Sequence, residues 1–101
     1  MISPEETNIR LGKWGMLHKD YILKHKKVVF TTLLAKGILW QHLAAIDNQA
    51  QQMFDTLVEQ MKKAEGVTEE LKEQDQLEWI QRMSNIQQRA REIVCNELIY
   101  T

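Results

Sequence analysis

Gly66-Val67-Thr68-Glu69-Glu70-Leu71 decides the fold, because it separates two long stretches of helical periodicity. Ahead of it apolar residues recur at Leu39, Leu43, Ile46, Ala50, Met53, Leu57, Met61 and Ala64. Beyond it they recur at Leu71, Trp79, Ile80, Met83, Ile86, Ala90, Ile93, Val94 and Leu98. Steps of three and four residues put each set on one helix face. Gly66 suits a left-handed helix stop, and Thr68 suits an N-cap with Glu69 and Glu70 in the favoured first turn. The stretch predicts an all-α fold built on a long antiparallel hairpin, residues 38–63 and 69–98. Leu71 stands where a reciprocal capping box would need Glu or Gln.

The first hairpin helix would be a rod of roughly 40 Å at 1.5 Å per residue. Folding about the turn places Met53 near Ile80, Ala50 near Met83, Leu43 near Ala90 and Leu39 near Val94. Small residues then face large ones, as interdigitated packing requires. Residues 1–12 read as a flexible lead-in to a single helical domain, 13–101, because Pro4, Asn8 and Gly12 carry no period. Trp14, Leu17, Tyr21 and Val28 mark a first helix ending in the basic run Lys24-His25-Lys26-Lys27, with Gly15 weakening its first turn. Val28 to Leu34 has strand-forming composition, but nothing is present for a strand to pair with, and Gly37 reads as a helix stop. The expected architecture is the hairpin covered at one end by two shorter N-terminal helices. These are too short to reach the turn end, where Phe54, Leu57, Met61, Leu77 and Trp79 are expected to form an apolar self-association surface. A homodimer or higher oligomer is the corresponding expectation.

One hundred and one residues, 44% hydrophobic and 27% charged, suit one domain with a small core. No apolar run approaches the length of a membrane span, and the acidic N-terminus does not read as an export signal. A single cysteine, Cys95, allows no internal disulfide, and its neighbours Val94, Asn96 and Glu97 offer no cation to a thiolate. These features predict a cytoplasmic protein without membrane contact. The net charge of −1 hides an asymmetry. Residues 1–46 carry seven basic and three acidic side chains, and residues 47–101 carry six and eleven. The asymmetry permits a basic contact surface, but attraction between the two halves of the fold accounts for it without any partner and comes first.

Enzyme chemistry is not predicted. His18 and His25 share a helix face but stand seven residues apart, too far for one ion, and His42 lies on another helix. Neither Glu-x-x-His pairs for a di-iron site nor a phosphate loop occurs, and Ser3 and Ser84 have no adjacent histidine. No catalytic residue, metal or cofactor is therefore expected. Aromatic residues at helical spacing read as core. A helix-turn-helix over Val29 to Asn48, turning at Gly37, lacks any Arg or Lys at the start of its second helix and runs on for several turns. The better candidate for contact with nucleic acid is the first helix, where Lys19, Lys24, His25, Lys26 and Lys27 could follow a phosphate backbone.

Several words, in order, resemble the TnpV family of proteins encoded on transposons and conjugative elements of clostridia and related bacteria. They include Leu11-Gly12-Lys13-Trp14-Gly15, Tyr21-Ile22-Leu23-Lys24-His25 and Leu33-Leu34-Ala35-Lys36-Gly37. Ala45-Ile46-Asp47, Glu65-Gly66-Val67-Thr68-Glu69, Trp79 to Ile86 and Arg89 to Val94 follow. The likeness spans residues 11–101. It implies a place in the gene set of a mobile element and carries over no catalytic residue. The leading expectation is a small non-catalytic accessory or regulatory protein that contacts the element's DNA through the basic first helix, with that DNA or the element's recombinase as partner. The alternatives are a helical interaction module that self-associates without binding DNA, and a cargo protein with no part in transposition.

Overall fold

The computed structural model describes residues 11–101, and the described chain is all helical. Helix α1 runs Lys13–His25, α2 Lys27–Ala35, α3 Leu39–Glu65, α4 Glu69–Gln74 and α5 Gln76–Val94, and a π-turn, Cys95–Ile99, ends the chain's helical part. The described part measures 56 × 27 × 18 Å. Its long dimension follows from α3, whose 27 residues form the backbone of the fold. Helix α5 packs antiparallel along α3, α1 packs across the other end of α3 and against the π-turn, and α2 bridges α1 and α3. The first ten residues of the expected lead-in lie outside the described residues. Its last two do not behave as a loose segment: Leu11 packs beside the buried Ile22, Leu39 and Leu43, and Gly12 is the N-cap of α1.

Both glycine stops form as their chemistry predicts. Gly37 has φ 73°, and Ile38 N–H reaches back to the Leu33 carbonyl (3.1 Å) while Gly37 N–H reaches Leu34 (3.1 Å). These are the two bonds of a Schellman cap, which satisfy carbonyls that the helix end leaves free. Residues 28–35 are accordingly helix, not strand. Gly66 has φ 68°, and Val67 N–H bonds the Lys62 carbonyl at 2.9 Å. Val67 is buried and packs with Met61, the hydrophobic contact that accompanies such a cap. Thr68 Oγ1 then accepts from Leu71 N–H at 3.2 Å and starts α4.

The second arm of the hairpin departs from expectation. It breaks at Asp75, whose backbone (φ −149°, ψ 86°) is not helical and whose carboxylate accepts from Glu78 N–H at 3.1 Å. Asp75 is thus the N-cap of a new helix, and α4 is a six-residue connector instead of the start of a long rod. The residues spent on this connector shift the register. Val94 shares a cluster with Ala50, not with Leu39, and Ala90 shares one with Val58, not with Leu43. Leu39 and Leu43 are covered by α1 through Ile22.

Three buried clusters run along the molecule. Val58, Val67, Ile86 and Ala90 close the turn end. Trp14, Ala50, Val94, Cys95 and Ile99 fill the middle. Ile22, Leu39 and Leu43 hold the N-terminal end. Each fully buried large side chain contributes about 1.5–3 kcal/mol relative to exposure, so Trp14, Ile22, Leu43, Ile86 and Ile99 dominate the apolar stabilisation.

Candidate functional site

The basic corner is formed where α1 ends and α2 begins. Lys26, with φ −137° and ψ 58°, breaks the helical path, and its N–H bonds the Ile22 carbonyl at 2.9 Å. Lys24, His25, Lys26 and Lys27 are all exposed there, and Lys36 is exposed at the far end of α2. From Tyr21 to Ile46 the sequence contains no carboxylate. Among the described residues the one ion pair at this corner joins Lys24 to Asp20 at 4.0 Å, with both side chains 68% exposed. Such a pair is worth little in water, so the corner keeps its positive potential. Lys19 is placed differently: it is half-buried, its Nζ 4.9 Å from the centroid of the Trp40 ring. That contact engages its charge within the fold.

Helix α2 itself has no buried residue. Phe30 and Leu33 pack against the N-terminal cluster, whereas Val28 is 80% exposed and Leu34 53%. Leu23, Val29 and Ile38 add to this uncovered apolar surface. At the turn end, Phe54, Leu57, Met61 and Trp79 are half-buried against Val58, Val67, Ile86 and Ala90, and Leu77 is exposed, as is Ile80. The connector adds Leu71 to this cluster. Lys72 lies over the Trp79 ring at 4.8 Å, and Arg89 grips Glu65 through two bonds of 2.8 and 2.7 Å.

The chain turns through 118° between α2 and α3. That is within the roughly 90–120° range of helix-turn-helix pairs. The start of α3 nevertheless buries Leu39 and Leu43, exposes Gln41, and offers no Lys or Arg before Lys62. The angle is that of the motif and the reading surface is not.

A joint between α1 and α3 explains why Gly12-Lys13-Trp14-Gly15 has its composition. Asp47, half-buried on α3, accepts from the Gly15 N–H at 2.9 Å, so a carboxylate from a neighbouring helix caps the N-terminus of α1. One turn further along α3, Gln51 Oε1 accepts from Trp14 Nε1 at 3.0 Å. The helices approach so closely that a Cβ on Gly15 would meet the Leu43 carbonyl oxygen, Asp47 Cβ and Leu11 Cδ2, each at 3.2 Å. A Cβ on Gly12 would meet the Asp47 carboxylate at 2.9 Å. Lys13 lies over both Trp14 (5.0 Å) and Phe54 (5.1 Å). Gly15 costs α1 helix propensity, and it is the residue that lets α3 approach.

The structure also unites two histidines that the sequence placed apart. His18, 5% exposed, bonds through Nδ1 to the Ile99 carbonyl at 2.8 Å, and its Nε2 faces His42 Nε2 at 3.3 Å. Burial, reinforced by the nearby His18, holds the His42 pKa below its ordinary value. His25 points elsewhere, against Tyr21. Cys95 is buried, and burial pushes its thiol up; Arg91, one helical turn earlier, supplies a cation that its immediate neighbours lack but does not outweigh burial. Among the described residues no group of three or more His, Cys, Asp or Glu side chains surrounds a common point, and no single helix is long and apolar enough to cross a membrane.

Neither a curated protein nor a solved structure matches the chain. The family described as transposon-encoded protein TnpV matches residues 1–99, so the likeness extends ahead of Leu11, where the recognisable words begin. It thus takes in the α1–α3 joint and both glycine stops, and the chain belongs to the family of transposon-encoded TnpV proteins.

Proposed function

We propose that this protein is a small non-catalytic accessory factor of a mobile element that contacts the element's DNA through the corner between α1 and α2. The observation that carries the reading is the exposed set Lys24, His25, Lys26, Lys27 and Lys36 within a stretch, Tyr21 to Ile46, that holds no acidic residue. Cations on two helices joined by one residue suit phosphates along a backbone. Contact of this type positions a protein on DNA without reading sequence. Membership of a transposon-encoded family supplies the setting.

Four lysine–phosphate contacts would give log K against log salt a slope of about −3.6. Binding of the full chain to duplexes of the element's ends, followed by fluorescence anisotropy from about 50 to 300 mM salt, measures this slope directly. Replacing Lys24, Lys26 and Lys27 together by Glu is expected to abolish binding while leaving the helical content intact. No binding by the wild-type chain at the lowest salt would overturn the proposal.

A second reading rests on α2, whose exposed Val28 and Leu34, with the exposed Ile38 just beyond its end, have no cover within the chain's described part. A helix of that kind suits a protein partner, a recombinase or a second copy of this chain. Apolar association holds or strengthens as salt rises. Light scattering across the same salt series therefore separates the two, since a salt-resistant oligomer with no DNA affinity supports the second reading alone.

A further inference from the structure

We propose that His18 and His42 form a two-histidine site for one borderline transition-metal ion, Zn²⁺, Ni²⁺ or Cu²⁺. Three observations carry it. The first is the separation of the two Nε2 atoms, 3.3 Å. One ring can hydrogen-bond the other at this distance, and two bonds of roughly 2.0–2.1 Å meeting at a tetrahedral ion separate their nitrogens by roughly the same 3.3 Å. The second is the His18 Nδ1 contact to the Ile99 carbonyl at 2.8 Å. A carbonyl only accepts, so Nδ1 carries the hydrogen and the Nε2 lone pair of the neutral ring faces His42. Metal-binding histidines are commonly held in this way by a carbonyl behind the ring. The third is space: both rings line a cavity of about 240 Å³, whose other walls include Ile22, Val29, Ile46 and Leu98. Water has room to fill the remaining coordination positions.

The ligand set decides the ion. Two imidazoles suit Zn²⁺, Ni²⁺ and Cu²⁺, and no Asp or Glu side chain is among the lining residues to favour Mg²⁺ or Ca²⁺. Lys26 reaches the same cavity and its charge opposes a cation. With two protein ligands and that opposing charge, the dissociation constant is expected on the order of tens of micromolar, far weaker than a four-ligand structural zinc site. Bound there, the ion would tie α1 to α3 directly, and through His18 to the π-turn at Ile99.

The test uses the untagged full chain, stripped with EDTA and given Zn²⁺, Cu²⁺ or Mg²⁺ singly. Equilibrium dialysis should show one Zn²⁺ per chain, and roughly 1 mM Zn²⁺ should raise the melting midpoint by about 8–16 °C. Cu²⁺ bound at one equivalent should give an electron paramagnetic resonance spectrum with two imidazole nitrogens. His42→Asn, at a half-exposed position, should fold and lose both effects, and His25→Asn should keep them. Zinc binding that survives His42→Asn, a copper spectrum with fewer than two imidazoles, equal stabilisation by Mg²⁺, or no bound ion would each overturn the proposal. The copper spectrum of the wild-type chain decides the matter even if the variant fails to fold.

Discussion

The sharpest test of the α1–α3 joint is a pair of substitutions, Asp47→Ala and Gly12→Ala, measured singly and together. Asp47 accepts from the buried Gly15 N–H at 2.9 Å and sits at the N-terminus of a 13-residue helix. Removing an N-cap acceptor costs about 0.5–2 kcal/mol, and loss of the favourable charge at the helix end adds about 0.3–1 kcal/mol. Asp47→Ala should therefore destabilise by about 2 kcal/mol. At about 4–8 °C per kcal/mol for a domain of this size, the melting midpoint should fall by about 8–16 °C. Asp47→Asn keeps an acceptor and should lose only the charge contribution. Gly12 has φ −80° and ψ −172°, which any residue adopts, so its need for glycine lies in contact alone. The three atoms a Cβ would strike, Oδ1 at 2.9 Å, Oδ2 at 3.0 Å and Cγ at 3.3 Å, all belong to Asp47 and all vanish in Asp47→Ala. Gly12→Ala should cost about 1–2 kcal/mol in the wild type, by forcing the carboxylate off the Gly15 amide. In the Asp47→Ala background it should cost nearly nothing. Urea unfolding followed by far-UV circular dichroism gives the four free energies. A coupling energy below about 0.5 kcal/mol, the ordinary limit of additivity, would refute the joint as described.

Gly66→Ala should cost about 1–2 kcal/mol from the left-handed backbone alone, because a Cβ at φ 68° meets nothing within 4 Å; urea unfolding reads the loss. Asp75→Ala should cost about 1 kcal/mol by leaving the Glu78 amide uncapped, with Asp75→Asn close to neutral in the same assay. In metal-free protein His42 adds a pH dependence whose sign follows from its lowered pKa. The unfolded ring binds its proton near pH 6.5 and the folded ring only at lower pH, so the unfolded chain holds more protons in between. The stability associated with neutral His42 is then present in full above about pH 6.5 and lost as pH falls toward the folded value. Burial is the first cause of the shift and the neighbouring His18 the second, and Lys26 lines the same cavity. Urea titrations between pH 7.5 and 5 (a range set about the unfolded histidine pKa) should show a shallower slope in His42→Asn than in wild type, and equal slopes would refute the assignment.

How much of this was legible in the sequence depends on the range of the interaction. Gly37, Gly66 and Thr68 act on backbone within five residues, and each does what local chemistry predicts. Asp75 also acts locally, and Asp75-x-x-Glu78 is a helix-start pattern, but the apolar period running through Leu71, Trp79 and Ile80 masked it. Missing that cap displaced every expected pair across the hairpin, because antiparallel register counts from the turn. The α1–α3 joint spans 32 residues between Gly15 and Asp47, and 37 between Trp14 and Gln51. Without the register of α1 on α3 nothing marks those residues as partners. Gly15 alone left a signal, as a poor helix former in the first turn of an otherwise strong helix. The His18–His42 contact was hidden for the same reason. The lysines of the basic corner could be read from sequence because exposed charge needs no partner to be recognised, though the loss of Lys19 to Trp40 could not.

These contacts divide the N-terminal end into a fixed helix and a lightly held one. Helix α1 is anchored at its first turn by Asp47 and Gln51, in its middle by His18 on Ile99, and near its end by the buried Ile22. Helix α2 follows after a single non-helical residue, has no buried side chain, and touches the fold mainly through Phe30 and Leu33. Local stability follows the density of buried contacts, so α2 opens at lower cost than α1. Lys24 and His25 are therefore held in place relative to α3, whereas Lys27, Lys36 and the apolar face of Val28 and Leu34 ride on an element that can adjust. A rigid cationic edge beside an adjustable apolar helix suits a factor that meets a charged surface first and fits a second contact afterwards. Charge steers the encounter at long range, and apolar contact acts only once the surfaces touch. The DNA reading and the protein-partner reading then concern successive contacts on one corner, and the salt series distinguishes which of them supplies the affinity.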